Sequence, residues 1–385
     1  MSKLLEFDSN VDVESRESTQ PTATVELIPT PVSPEKNPYK ASHCPSDIYE
    51  LLPPDGSTFG LFADPYASMK YVDVNIGNRN GRYWLEQRLE DYSFTDRELK
   101  LLEYLSEHRV GTRSQIERVV FPDDIKSKTV IDFLKKSRQR GIICSFSWVS
   151  PLDDGRKKPL VYGLTRVGAE AASKLFYKQV SDEFWFHPIK FPHGKGPNMT
   201  TFFLDLAANE LYSELVRIDR IIDWQRRPQV RLSDGTKHYP ASSFEVIKDK
   251  DEMRLFWLET VRVGKDWVGR TKNRFQRIQS AFEKLPPYQK PVRLIILTDS
   301  DSRISFLGKL AHQYMPDVKV RFTTDERLLQ GIGEETFISY KHETEDVALT
   351  PIPIFKEDYP GMTASEYLDS QEVNIEDEED DWYEE

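Results

Sequence analysis

The sequence predicts an α+β fold, an N-terminal winged helix followed by an α/β sandwich. Three features of the 385-residue chain point to it. Capped helices follow one another between Thr95 and Gly141. Two apolar runs, 142–149 and 159–164, then flank a polar turn. After residue 200, helical and strand-like apolar patterns alternate.

Each helix of the first module has a start and a stop signal. Thr95-Asp-Arg-Glu98 is a capping box that opens a helix on Leu99, Leu102 and Leu105. Thr112-Arg-Ser-Gln115 opens a second, shorter one on Ile116, Val119 and Val120, which Pro122 ends. A third runs from about Ser127 to Arg140 with Val130, Ile131 and Leu134 on one face and Gly141 as its C-cap. The turn Asp153-Asp-Gly-Arg-Lys-Lys158 makes the following strands a hairpin with a basic tip.

Charge marks the same elements. Residues 95–178 carry 17 Lys and Arg against 11 Asp and Glu, a local +6 in a chain of net charge −12. A helix entering the major groove needs cations on its flanks to neutralise phosphates, and a wing needs them at its tip. The candidate DNA contacts are therefore Lys126, Ser127, Lys128, Thr129, Lys135, Lys136, Arg138 and Arg140 on the third helix. Arg156, Lys157 and Lys158 join them from the hairpin. Double-stranded DNA is the partner this pattern favours. An ordinary solvated lysine-rich face is the bland alternative, and a protein-docking winged helix the other.

Composition bounds the rest. No apolar run approaches a membrane span and no N-terminal signal pattern is present, so a cytoplasmic protein is expected. Cys44 and Cys144 are far apart, without a histidine cluster, which argues against a disulfide framework or a zinc site. Neither metal nor cofactor is expected. Residues 1–44 are rich in Ser, Thr, Pro and Glu and read as a disordered segment. Residues 45–92, with Leu51, Leu52, Tyr66, Tyr71, Tyr83 and Trp84, read as an extension packed on the winged helix of 93–180. Residues 341–385 read as an acidic tail of net charge −14 that ends in eight carboxylates around Trp382 and Tyr383.

The second module is expected over 198–340. Phe202, Phe203, Leu206, Leu211 and Leu215 mark a helix, followed by a polar segment with Trp224 and Pro228. Strands at 244–247 and 255–258, a basic helix at 266–285, a strand at 292–297, a helix at 303–313 and a strand at 318–322 complete it. This is the element order of metal-dependent PD-(D/E)xK nucleases. Their chemistry needs one acid at the start of a strand and Glu-x-Lys on the next, so that carboxylates hold a cation and the lysine positions water. Here Pro240-Ala241 stands at the first place and Glu259-Thr260-Val261 at the second, so one carboxylate survives alone. Glu259 then reads as a structural carboxylate. Arg270, Lys272, Arg274 and Arg277 read as a secondary basic face, and His187, His193 and His238 as surface or loop residues. Gly194-Lys-Gly196 reads as a flexible connector.

Over roughly 95–340 the chain resembles the replication-relaxation family of plasmid and conjugative-element proteins. The resemblance rests on Val161-Tyr-Gly-Leu-Thr-Arg-Val-Gly-Ala169 and on the helix pattern Leu206-x-x-Asn209-x-x-Tyr212-x-x-Leu215. It continues through Asp223-Trp-Gln-Arg-Arg-Pro228 and Phe256-Trp-Leu-Glu259. Where the family has Pro-Asp and Glu-x-Asp, this chain has Pro240-Ala241 and Glu259-x-Val261. The resemblance implies a mobile-element DNA-binding protein of replication initiation, conjugative transfer or their regulation. Relaxase or replication proteins would be its partners, and a homodimer is open. The residues imply no enzymatic activity. A metal-dependent endonuclease and a plain winged-helix transcriptional regulator are the alternatives.

Overall fold

Both capping boxes close in the computed structural model, which describes residues 27–39, 44–73, 81–121, 125–152, 155–250 and 252–371. The first half contains α1 (Ile48–Leu51), β1 (Ser68–Val72), α2 (Gly81–Glu90), α3 (Asp96–His108), β2 (Val110–Thr112) and α4 (Arg113–Val120). It continues with α5 (Ser127–Gln139), β3 (Ile143–Val149), β4 (Val161–Leu164), α6 (Arg166–Leu175) and β5 (Ile189–Lys190). Thr95 and Thr112 each accept a hydrogen bond from the backbone of the N3 residue, whose side chain in turn accepts from the cap's N–H. Gly141 takes a left-handed conformation at φ +73°, ending α5 as its lack of a Cβ allows. Leu101, Leu105, Ile116, Val130, Leu134 and Ile143 fill the core between the three helices and the sheet.

That sheet is wider than a hairpin. Its strand order is β2-β4-β3-β1-β5. Ile143 to Phe146 pair with β4, but Phe146 to Val149 pair with β1, which lies on the far side of β3. Beyond Val149 the chain therefore leaves the sheet toward the second module, where Leu152 is buried among its side chains.

The second half comprises α7 (Thr200–Arg217), β6 (Ile221–Arg226), β7 (Val230–Arg231), β8 (Lys237–His238), β9 (Ser242–Asp249) and β10 (Glu252–Thr260). Then come α8 (Trp267–Lys284), β11 (Arg293–Thr298), α9 (Ile304–Tyr314), β12 (Val320–Thr324), α10 (Asp325–Leu328), β13 (Ile338–Lys341) and β14 (Asp346–Leu349). Seven strands order as β14-β13-β12-β11-β10-β9-β6, with β10, β11 and β12 parallel and the other neighbours antiparallel. The segment expected to be merely polar around Trp224 is strand β6, whose Trp224 pairs with Phe244. Alternation along β10 divides the core. Phe256 and Leu258 face α7, and Trp257 faces α8 and α9.

Several expectations at the ends change. Within the N-terminal stretch read as disordered, residues 27–39 have a defined place: Val32 and Tyr39 are buried against the α8–α9 side, and Tyr39 Oη accepts from Phe59 N. Leu51 and Leu52 pack there too rather than on the first module, whereas Trp84 of α2 packs on the first module, next to the buried Leu85. Tyr66 donates to Asp47, and Tyr83 is exposed. Only part of 341–385 can be a tail, because Ile352, Phe355 and Ala364 are buried and Arg220 donates to the carbonyls of Tyr359, Gly361 and Met362. The cluster around Trp382 and Tyr383 lies outside the described residues.

Helix α7 joins the halves. Its Phe202, Phe203 and Leu206 share one apolar cluster with Val110, Phe146, Trp148 and Val161 on one side and Phe244, Phe256 and Ile295 on the other. Gln115 Nε2 donates to Leu206 O (2.8 Å) and Glu210 Oε2 (2.7 Å), and Arg118 pairs with Glu210 and Glu214.

Candidate nucleic-acid interface

Helix α5 buries Val130, Leu134 and Ser137 and turns its other face outward. Lys126, Ser127, Lys128, Thr129, Lys135 and Lys136 are all exposed, and none of the four lysines makes an ion pair among the described residues. Ile131, expected on the buried face, is 45% exposed and stands among them. The rest of the predicted surface divides. Arg138 is tied to Asp73 at the end of β1, and Arg140 reaches Glu98 Oε1 (2.6 Å) and lies over the Trp84 ring. These two guanidiniums fasten α5 to its neighbours and are not free for phosphates. In the loop, Arg156 pairs with Glu326 (2.6 Å) and donates to Thr58 Oγ1 (3.1 Å), so it docks on the second module instead of projecting. Lys157 is exposed, and Lys158 partly so.

A second feature lies at the ends of β9 and β10. A cleft of about 410 Å³ is lined by Asp205, Arg226, Arg227, Tyr239, Ala241, Glu259, Arg270 and Arg274, among others. Glu259 has the same parity on β10 as Trp257, so its carboxylate points toward α8. There Arg274 donates to both carboxylate oxygens, one bond measuring 3.0 Å, and to the Tyr239 carbonyl. The backbone N–H of Ala241 donates to Glu259 Oε1 (3.0 Å). A guanidinium thus stands on the one carboxylate that a divalent cation would need. With Ala241 and Val261 at the other positions, these residues do not fit a metal. No group of three or more metal-ligating side chains occurs among the described residues.

The replication-relaxation family model matches residues 102–262. Over this segment the chain is similar to the replication-relaxation family. None of the curated proteins and none of the solved structures compared with the chain matches it. The replication-relaxation segment runs from within α3 to just beyond β10, so it includes both α5 and the β9–β10 side of the cleft.

Around this segment the basic face expected on α8 separates. Arg270 and Arg274 line the cleft, and Arg277 is exposed beside them. Lys272 is on another side of the helix, over the Tyr314 ring at 5.0 Å. His187 and His193 are exposed, but His238 is 5% exposed and stacks on Trp257. Burial first, then Arg274 and Arg277, lower the His238 pKa to about 4. Gly196 is no loose connector: a Cβ there would sit 1.8 Å from Met69 O.

Sequence reasoning missed the polar residues between the modules. Asp205 takes Arg109 (2.9 Å) and Arg226 (2.9 Å), and Asn209 holds His108. Asn209 and Glu210 within an apolar helical pattern were the available signal, because charged and amide side chains survive burial only when paired. No helix among the described residues is long and apolar enough to cross a membrane.

Proposed function

We propose that this protein is a non-catalytic, mobile-element DNA-binding protein that acts in replication initiation or conjugative transfer. In this reading α3 to β4 form a winged helix with α5 as the recognition helix. The observation that carries it is the free cationic face of α5: four lysines with Ser127 and Thr129, all exposed at the start and along one side of one helix. Phosphate neutralisation supplies much of the affinity for duplex DNA, and in this reading the hydroxyls near the helix start would face the bases. The match of residues 102–262 to the replication-relaxation family model supports the replication or transfer role. The Glu259–Arg274 pair supports the absence of catalysis, since the only surviving acid of the nuclease pattern is already neutralised.

Fluorescence anisotropy with labelled duplex DNA tests the reading. Lys128→Ala with Lys135→Ala should weaken binding and lower the log–log salt slope by about 0.9 for each phosphate no longer neutralised. Supercoiled plasmid incubated with the protein and Mg²⁺ should stay intact. Unchanged affinity and slope would refute the α5 interface, and nicking that Glu259→Ala abolishes would establish the endonuclease instead.

A further inference from the structure

We infer that the cleft between β6, β9, β10 and α8 is a second nucleic-acid site, one that holds the phosphodiester backbone of a single DNA strand on Arg227 and Arg270. The inference begins with the charges lining the cleft. Its two acids are both neutralised internally, Asp205 by Arg109 and Arg226 and Glu259 by Arg274. Arg262, also in the lining, is buried on Asp325. Arg227 and Arg270 remain, both exposed and both without a side-chain partner among the described residues. The cleft therefore presents two uncompensated guanidiniums, planar forks suited to bidentate phosphate binding.

The backbone at Arg227 adds a second argument. This residue precedes Pro228 yet has φ +49°, a left-handed conformation that non-glycine residues seldom adopt and that a following proline further restricts. A hydrogen bond from Arg227 N to Ala241 O (3.0 Å) holds it there. Strain of this kind persists where the surrounding structure imposes it, and it clusters at ligand sites. Arg227 and Tyr239 both line the cleft.

Tyr239 favours a strand over a lone anion. The residue is 47% exposed in the cleft wall, and its backbone carbonyl accepts from Arg274. An exposed aromatic next to paired cations is the arrangement by which proteins hold single strands, base on ring and backbone on arginine. A cleft of about 410 Å³ has room for part of one strand. This site is separate from the α5 surface and does not depend on it.

Anisotropy of a 5′-labelled 12-residue oligothymidylate with the full chain tests the inference. Arg227→Ala with Arg270→Ala should weaken binding about tenfold at low salt and lower the salt slope by about 1.4, the single-strand value for two phosphates. Tyr239→Ala should weaken it several-fold, and Tyr239→Phe should leave it unchanged. Lys128→Ala with Lys135→Ala should leave oligothymidylate binding within about twofold, so failure of the α5 interface and failure of this site are separately visible. Equal affinities for parent and double arginine variant would overturn the inference. So would full displacement of the oligonucleotide by millimolar inorganic phosphate, which would make the cleft a small-anion site.

Discussion

His108 has an environment far from what its sequence context suggests. It ends an amphipathic helix and is only 1% exposed, stacked with Tyr104 and Tyr212. Asn209 Nδ2 donates to the carbonyls of Val110 (2.6 Å) and His108 (3.2 Å), which leaves Asn209 Oδ1 to accept from His108 Nδ1 at 3.0 Å. The ring is therefore the neutral Nδ1–H tautomer. Burial lowers its pKa to about 3, against the Asn209 bond, which acts in the opposite direction. The unfolded chain binds a proton here near pH 6.5 and the folded chain does not. The stabilisation is complete above that value and is lost as pH falls toward 3, with a slope of up to about 1.4 kcal/mol per pH unit. We expect urea unfolding of His108→Gln to lose less stability than the parent between pH 7 and pH 5. Parallel pH profiles for the two proteins would refute this assignment. Nothing in the sequence marked His108, because its partner lies 101 residues away.

At the scale of elements, the close approach of α6 to the β3 end of α5 offers a test in which two effects oppose. Gly168 occupies the first turn of α6, beneath the Thr165 cap, whose Oγ1 accepts from Gly168 N (3.2 Å). Alanine in a helix is favoured over glycine by about 1 kcal/mol. A Cβ at Gly168, however, would lie 2.1 Å from the Ile142 carbonyl, which is backbone and cannot swing aside. Overpacking of this kind costs roughly 1–3 kcal/mol. The clash should win, and Gly168→Ala should lower the urea midpoint. A higher midpoint would mean that the turn after α5 yields easily. Helices and buried strands of this chain were legible from caps and periodicity: α5, α8, β11 and α9 all start and stop within about two residues of the expected bounds. Strands β1 and β5 were not, since strands of 5 and 2 residues leave almost no pattern of their own.

Across the whole molecule, α7 makes the two modules one packed body. The first module turns Val110, Phe146, Trp148 and Val161 toward α7, and Gln115 Nε2 donates to α7 groups. An isolated fragment 93–180 would expose that apolar face and strand the buried amide. We expect the fragment to lack a sharp cooperative unfolding transition, whereas a fragment 27–371 should retain one. A cooperative melt of 93–180 matching the full chain would show that the shared cluster adds little to the first module.

The sequence by itself determined the α+β class, the capped helices, the cationic residues of α5 and the alanine at position 241. Those properties follow from local chemistry: side-chain caps, the period of apolar residues and the identity of single positions. Tertiary structure alone decided which cations stay free. Arg138, Arg140, Arg156 and Arg274 read in sequence like their basic neighbours, yet Asp73, Glu98, Glu326 and Glu259 claim them. An arginine's availability depends on which carboxylate the fold brings within reach, and no spacing along the chain encodes a partner 170 residues distant.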